Sequence, residues 1–221
     1  VGTQNVYGWT MGTRSGDSST SGLGFVFSSG QGDSTTATSS GVYLWGPANG
    51  NNNGLTANSG FNTTGGNAGG NYLALDADPG VSGAISQTIN GLTVGQGYVL
   101  TFAWATAELR DTNYGNTTDA VQVTLGSQTQ STQTLSTASK GFDPWRQVTM
   151  FFSATSTSET LSFLAVGTPS GDPPTVLLDA VSLVYAPEPS TWLMMLAGLG
   201  GFAGFTALRR RRPDGNSHLP A

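Results

Sequence analysis

From residue 72 onward, apolar and polar positions alternate with period two. Tyr98, Leu100, Phe102 and Trp104 alternate with Val99, Thr101 and Ala103. Val121, Val123 and Leu125 alternate with Gln122 and Thr124. The same rhythm runs through Val148, Met150 and Phe152, and again through Leu161, Phe163 and Ala165. Such alternation puts every second side chain on one face of a strand. Tyr72-Leu73-Ala74-Leu75, Ala84-Ile85-Ser86-Gln87-Thr88-Ile89 and the run 175–185 add three more strands. Turn chemistry separates them: Asp-Ala-Asp-Pro-Gly at 76–80 and a glycine-marked loop at 91–97. No segment of the body follows a 3.6-residue period, so the pattern predicts an all-β sandwich. The first 71 residues are weaker. Gly24-Phe25-Val26-Phe27 and Val42-Tyr43-Leu44-Trp45 read as short strands, and residues 46–71 have the Gly-Asn composition of a loop.

The pattern changes at the C-terminus. Residues 191–208 form an uncharged, mostly apolar run of 18 residues, preceded by Pro187-Glu188-Pro189 and followed by Arg209, Arg210, Arg211 and Arg212. The run has no polar face at helical spacing, which argues against a helix on a soluble core. As a helix it is about 27 Å long, close to a hydrocarbon core of about 30 Å. Trp192 suits the headgroup level, and the arginines mark the cytoplasmic side. The expected architecture is therefore a sandwich over 1–186, a single C-terminal transmembrane helix at about 191–208, and a cytoplasmic tail over 213–221. The chain opens at Val1 with no basic and apolar leader. We read it as a fragment or a processed form, expected to lack a signal peptide and a first strand.

Composition narrows the chemistry. The 221 residues include no cysteine and one histidine, His218 in the tail. Thiolate chemistry is excluded, and neither a histidine triad nor a histidine metal cluster is expected. Residues 1–186 hold four basic and eleven acidic side chains, a net charge of −7. An acidic body repels phosphate backbones, so nucleic-acid binding is not expected.

Pro187-Glu188-Pro189, the apolar span and the arginine cluster resemble the PEP-CTERM sorting signal of Gram-negative bacteria. That resemblance implies recognition by an exosortase, cleavage near Pro-Glu-Pro, and release or attachment at the cell surface. It also implies an association with exopolysaccharide and biofilm. A second resemblance rests on Asn71 to Asp76, Ile85 to Ile89, Leu92 to Tyr98, Leu100 to Trp104 and Leu178 to Leu183. These pieces are similar to galactose-binding-like jelly rolls, and they imply a fold rather than a ligand.

Candidate sites follow. Tyr7, Trp9, Tyr43, Trp45, Tyr114 and Trp145 are aromatics that core periodicity does not wholly absorb, and such rings on loop rims stack on sugars; Trp9, Tyr43, Trp45 and Tyr114 are the candidates for saccharide. Core or rim packing is the competing reading for each. Trp104 and Phe102 read as core, and Trp145 resembles the family's structural tryptophan. Asp76, Asp78 and Asp179 could hold a structural calcium of the kind that related jelly rolls carry. Turn chemistry competes for Asp76 and Asp78. Asp179 shares strand parity with Leu177, Val181 and Leu183, so it is expected to face the core, held by backbone donors or an arginine. No cofactor is otherwise expected. Glu108, Asp111, Asp119, Asp143 and Glu159 are available for two-acid glycoside hydrolysis but lie in no recognisable motif. The expected function is a non-enzymatic surface or matrix protein sorted by an exosortase, with polysaccharide as a further partner. The alternatives are a polysaccharide-active hydrolase on the same sandwich and a purely structural matrix component.

Overall fold

In the computed structural model, the described residues are 2–3, 6–15, 17–28, 43–45, 71–110, 115–172 and 174–186. They are all-β, with no helix among them. Fourteen strands run in chain order: β1 (Gly2–Thr3), β2 (Thr10–Met11), β3 (Thr13–Arg14), β4 (Asp17–Ser21), β5 (Gly24–Ser28), β6 (Asn71–Asp76) and β7 (Ile85–Asn90). They continue with β8 (Gly97–Glu108), β9 (Thr117–Leu125), β10 (Gln128–Ser131), β11 (Leu135–Thr137), β12 (Phe142–Ser153), β13 (Ser158–Thr168) and β14 (Pro174–Tyr185). One six-stranded sheet has the order β1-β5-β6-β14-β8-β12. The other has the order β10-β9-β13-β7-β2, with β11 also paired to β9. All pairings are antiparallel, and β3 with β4 forms a separate small ribbon. The expected transmembrane helix and the sorting residues Pro187, Glu188, Pro189, Arg209, Arg210, Arg211 and Arg212 lie outside the described residues.

The alternating positions supply the core between the sheets. Leu100, Phe102 and Trp104 of β8 meet Val121, Val123 and Leu125 of β9 and Leu161, Phe163 and Ala165 of β13. Phe102 and Phe163 touch edge to face at 5.3 Å, a favoured geometry for aromatic quadrupoles. A second apolar cluster covers the other face of the β6-β14-β8 sheet. Ala74, Ala103, Ala105, Ala107 and Leu177 lie there under Phe27, Leu44, Tyr72 and Trp145. Small alanines let these larger side chains lie flat on the sheet. Trp145 is buried and meets Tyr72 edge to face at 6.0 Å, the structural role expected of it.

The short strands β1 to β4 were not read from the sequence, and three further features depart from that reading. Residues 43–45 do not form a strand. Leu44 makes a single bridge to Leu109, so the segment extends the end of β8 by one contact. β10 and β11 were not visible as strands, because Gln128–Ser131 is polar throughout. The third is a correction to Asp179. A bulge between Asp179 and Ser182 shifts the register of β14 on β8, and Ala180 takes a left-handed φ of 52°. The extra residue breaks the parity of β14. Leu183 packs against the core while Val181 is exposed, so Asp179 does not share a face with Leu183.

The outer edge of β12 is closed by glutamines. Gln128 of β10 donates to the Ser153 carbonyl and accepts from the Ser153 N–H at 3.2 Å. Gln130 donates to the Phe151 carbonyl at 2.6 Å. These side-chain amides stand in for a neighbouring strand on an edge that would otherwise pair with another chain.

Gly22 and Gly83 bring two backbones into direct contact. A Cβ on Gly22 would lie 2.5 Å from the Gly83 Cα. Gly22→Ala should therefore destabilise the fold by about 1–3 kcal/mol, measured by urea denaturation. An unchanged midpoint would show that this contact is not tight.

Candidate functional site

β14 is longer than its neighbour β6. Only Thr175 to Leu178 pair with β6, which begins at Asn71. Past Leu178, β14 loses that partner and its flank borders an opening between the two sheets. β7 lines the other side, since β2 pairs only with Ser86 and Ile85. The result is a cleft of about 740 Å³, within the size range of small-ligand sites.

Its floor is core: Leu73, Ile85, Ile89, Leu161, Phe163 and Leu178. Its rim is chemically different. Tyr7 is fully exposed at the mouth, and Trp9 packs on Phe163 at 5.7 Å. Asn71, Gln87, Asn90 and Asp179 supply amides and a carboxylate. Gln87 shares strand parity with Ile85 and Ile89, which places a polar side chain on the inward face of β7. Burial raises the Asp179 carboxyl above its ordinary range, against the lowering effect of the Ala180 N–H at 2.7 Å. The neighbour holding Asp179 is thus a backbone donor, one of the two kinds expected. The set combines aromatic faces with amide donors and acceptors and one acceptor carboxylate.

Among the described residues, Tyr7 and Trp9 are the aromatics left over from core periodicity that line this cleft. Tyr43 and Trp45 stand at the opposite end of β8, fixed by the Arg110 N–H on the Tyr43 carbonyl and the Trp45 N–H on the Glu108 carbonyl. The Arg110 guanidinium lies 5.6 Å from the Trp45 ring centre and the Lys140 ammonium 5.7 Å. Cations already occupy the surroundings of that indole. Tyr114 lies outside the described residues. Asn71, Gln87 and Asn90 were not singled out as a site by sequence. Only the glutamine at an inward strand position carried a signal.

The aspartates do not assemble a calcium site. Asp76 lies opposite Thr175, and Asp179 is four residues further along β14, roughly 13 Å away at strand rise. Asp78 is spent on the turn. Its carboxylate accepts from Gly80 N–H at 2.7 Å, Ser170 hydroxyl at 2.8 Å and Gly171 N–H at 2.6 Å. Burial acts to raise Asp78, but these donors outweigh it and hold the carboxyl below its usual range. Asp76 accepts from the Asp78 N–H at 2.9 Å, and burial pushes it up to about 6. Among the described residues, no group of three acidic or histidine side chains could hold a metal ion. The turn reading describes Asp76 and Asp78, and the three carboxylates do not fit one cation.

The other acids are engaged in the fold. Asp143 pairs with Arg146 at 2.8 Å. Glu159 accepts from Thr155 and Ser156. Glu108 accepts from the Gly115 and Lys140 N–H groups. Asp119 is fully buried between the sheets. Its Oδ2 accepts from Thr117 at 3.2 Å and Thr137 at 3.4 Å, and its Oδ1 has no hydrogen-bond partner. Burial pushes its carboxyl up to about 7. Asp111 lies outside the described residues.

No curated protein matches this sequence. Solved structures similar to it include a CBM4 domain, at 21% identity over 52% of this chain and 83% of that chain, with a TM-score of 0.33. They also include a CBM61 domain solved with β-1,4-galactotriose, at 16% identity over 74% of this chain and 88% of that one, TM-score 0.36. A third is the N-terminal cellulose-binding domain of Cellulomonas fimi β-1,4-glucanase C, at 20% identity over 55% and 83%, TM-score 0.32. The sequence match is at the other end of the chain: residues 186–212, with their Pro-Glu-Pro, apolar run and arginines, are a PEP-CTERM protein-sorting motif.

Proposed function

We propose that the protein is exported, held by its C-terminal span, processed by an exosortase near Pro187-Glu188-Pro189, and delivered to the cell surface, where its body binds polysaccharide. The sorting motif supports the first part. Residues 191–208 serve as the span, and Arg209 to Arg212 stop it on the cytoplasmic side. The cleft supports the second. Tyr7 and Trp9 present ring faces to the apolar faces of a sugar, and Asn71, Gln87, Asn90 and Asp179 address its hydroxyls.

Binding is favoured over hydrolysis by the carboxylate count in the cleft. Among the described residues, Asp179 is the one acid lining the cleft, whereas glycoside hydrolysis generally needs two acids about 5–10 Å apart. A purely structural role would not require polar side chains gathered around an apolar floor.

Tyr7 provides a clean test, because it is fully exposed and its removal leaves the core intact. Tyr7→Ala should weaken retention in affinity electrophoresis through native exopolysaccharide about tenfold, with the melting temperature unchanged. Equal retention of wild type and variant would sink the assignment to this cleft. For the sorting clause, deleting the exosortase should leave the C-terminal segment uncleaved. Identical processing with and without the enzyme would refute it.

A further inference from the structure

The exposed large apolar side chains concentrate at one end of the sandwich. Val184, Val99 and Phe151 stand side by side across β14, β8 and β12, since Val184 pairs with Val99 and Val99 with Phe151. Phe151 is 66% exposed and Val184 53%. Val94, 56% exposed, sits in the loop that leads into this end of β8. Tyr185, half exposed, closes β14 beside Tyr98, with ring centres 5.8 Å apart and its hydroxyl on Gln96 at 2.7 Å. An apolar body with a polar tip is the side-chain type that favours a membrane–water boundary.

Among the described residues, the same end is nearly free of charge. Residues 79–107, 147–158 and 180–187 contain no Asp, Glu, Lys or Arg. Glu159, which follows the second of these stretches, turns its carboxylate to Thr155 and Ser156, and Glu188, three residues past Tyr185, lies outside the described residues. A body of net charge −7 is repelled by anionic headgroups over most of its surface. This end is where that repulsion is weakest.

The chain itself says what this end meets. Tyr185 is the last residue of β14, and the apolar span begins at Thr191. Six residues reach at most about 20 Å. We infer that the end of the sandwich bearing Val94, Val99, Phe151, Val184 and Tyr185 docks on the lipid surface while the chain is anchored. This rests on reading residues 191–208 as a membrane span. Docking would hold Pro187-Glu188-Pro189 at the bilayer surface and turn the far end of the sandwich outward.

The absence of native cysteine allows a direct test. Val94→Cys, Phe151→Cys and Val184→Cys, each carrying an environment-sensitive fluorophore, are reconstituted as full-length chains in phosphatidylcholine vesicles with and without brominated lipid. Val166→Cys serves as the control, because Val166 is exposed on β13 of the other sheet. Ala197→Cys reports on the span. Each variant is first checked for an unchanged melting temperature, and Tyr185→Cys replaces any that fails. Labels at 94, 151 and 184 should lose fluorescence roughly twofold in brominated vesicles, with no loss at 166. Quenching at 197 without quenching at 94, 151 or 184 would overturn the docking alone. No quenching at 197 would overturn the span, and the docking with it.

Discussion

Raising the pH from about 4.5 to about 8 should lower the melting temperature of this protein, and Asp119→Asn should remove most of that loss. Burial between the sheets holds the Asp119 carboxyl at about 7, against an ordinary value of 3.8. The folded state therefore keeps a proton that the unfolded chain releases near pH 4. Between those two values the folded state binds more protons, so stability falls as pH rises. A shift of this size corresponds to a loss on the order of 4 kcal/mol, complete above the folded value. Asp76, pushed up to about 6 by burial, adds to the same slope. Asp78 and Glu159 act in the opposite sense, because hydrogen bonds hold both below their ordinary values. Their contribution is present at neutral pH and is lost as pH falls below their ordinary values and through their folded ones. Stability should therefore peak near pH 4–5. Thermal melts of wild type and Asp119→Asn across this range decide the matter. A flat wild-type profile, or an unchanged slope in the variant, would contradict the buried-acid account.

The second large effect lies at the cleft floor. Phe163 supports Trp9 at 5.7 Å on one side and Phe102 at 5.3 Å on another, and is itself 1% exposed. Phe163→Ala should cost about 3–5 kcal/mol, the usual range for deleting a buried aromatic. It should also loosen Trp9 and so weaken saccharide binding beyond the stability loss. Phe163→Leu, which keeps most of the volume, should cost less and retain binding. Chemical denaturation and affinity electrophoresis on the three proteins separate the two effects. A loss below about 1 kcal/mol for the alanine variant would mean that Phe163 is not part of a packed core.

The parts legible in the sequence were those where one physical signal dominated. β8, β9, β12 and β13 are long strands between a core and another surface, and period-two alternation marks them, while β14 showed as a run rich in apolar and β-branched residues. The sorting segment was legible because a Pro-Glu-Pro motif, an uncharged run and four arginines follow one another closely in sequence. The bulge in β14 was not. Its left-handed residue is Ala180, where a glycine would have announced it, and an error of one residue reverses every later side chain. β10 escaped because its glutamines act as edge caps through their side chains rather than through apolar packing. The cleft was hardest to foresee. It borders β14 past Leu178, where the pairing with β6 stops, and no local pattern encodes where two strands about 100 residues apart part. Trp9 was found by composition, while Gln87 became meaningful only once β7 was seen to turn it inward.

The central claim is that this cleft, and not the Trp45 end, holds saccharide. Backbone resonances of the labelled protein can be followed as a digest of the native exopolysaccharide is added. The account predicts that signals of Tyr7, Trp9, Asn71, Gln87, Asn90 and Asp179 shift in a saturable way, while those of Tyr43, Trp45, Arg110 and Lys140 stay in place. Shifts confined to the Trp45 end, or no saturable shift around the cleft, would contradict it.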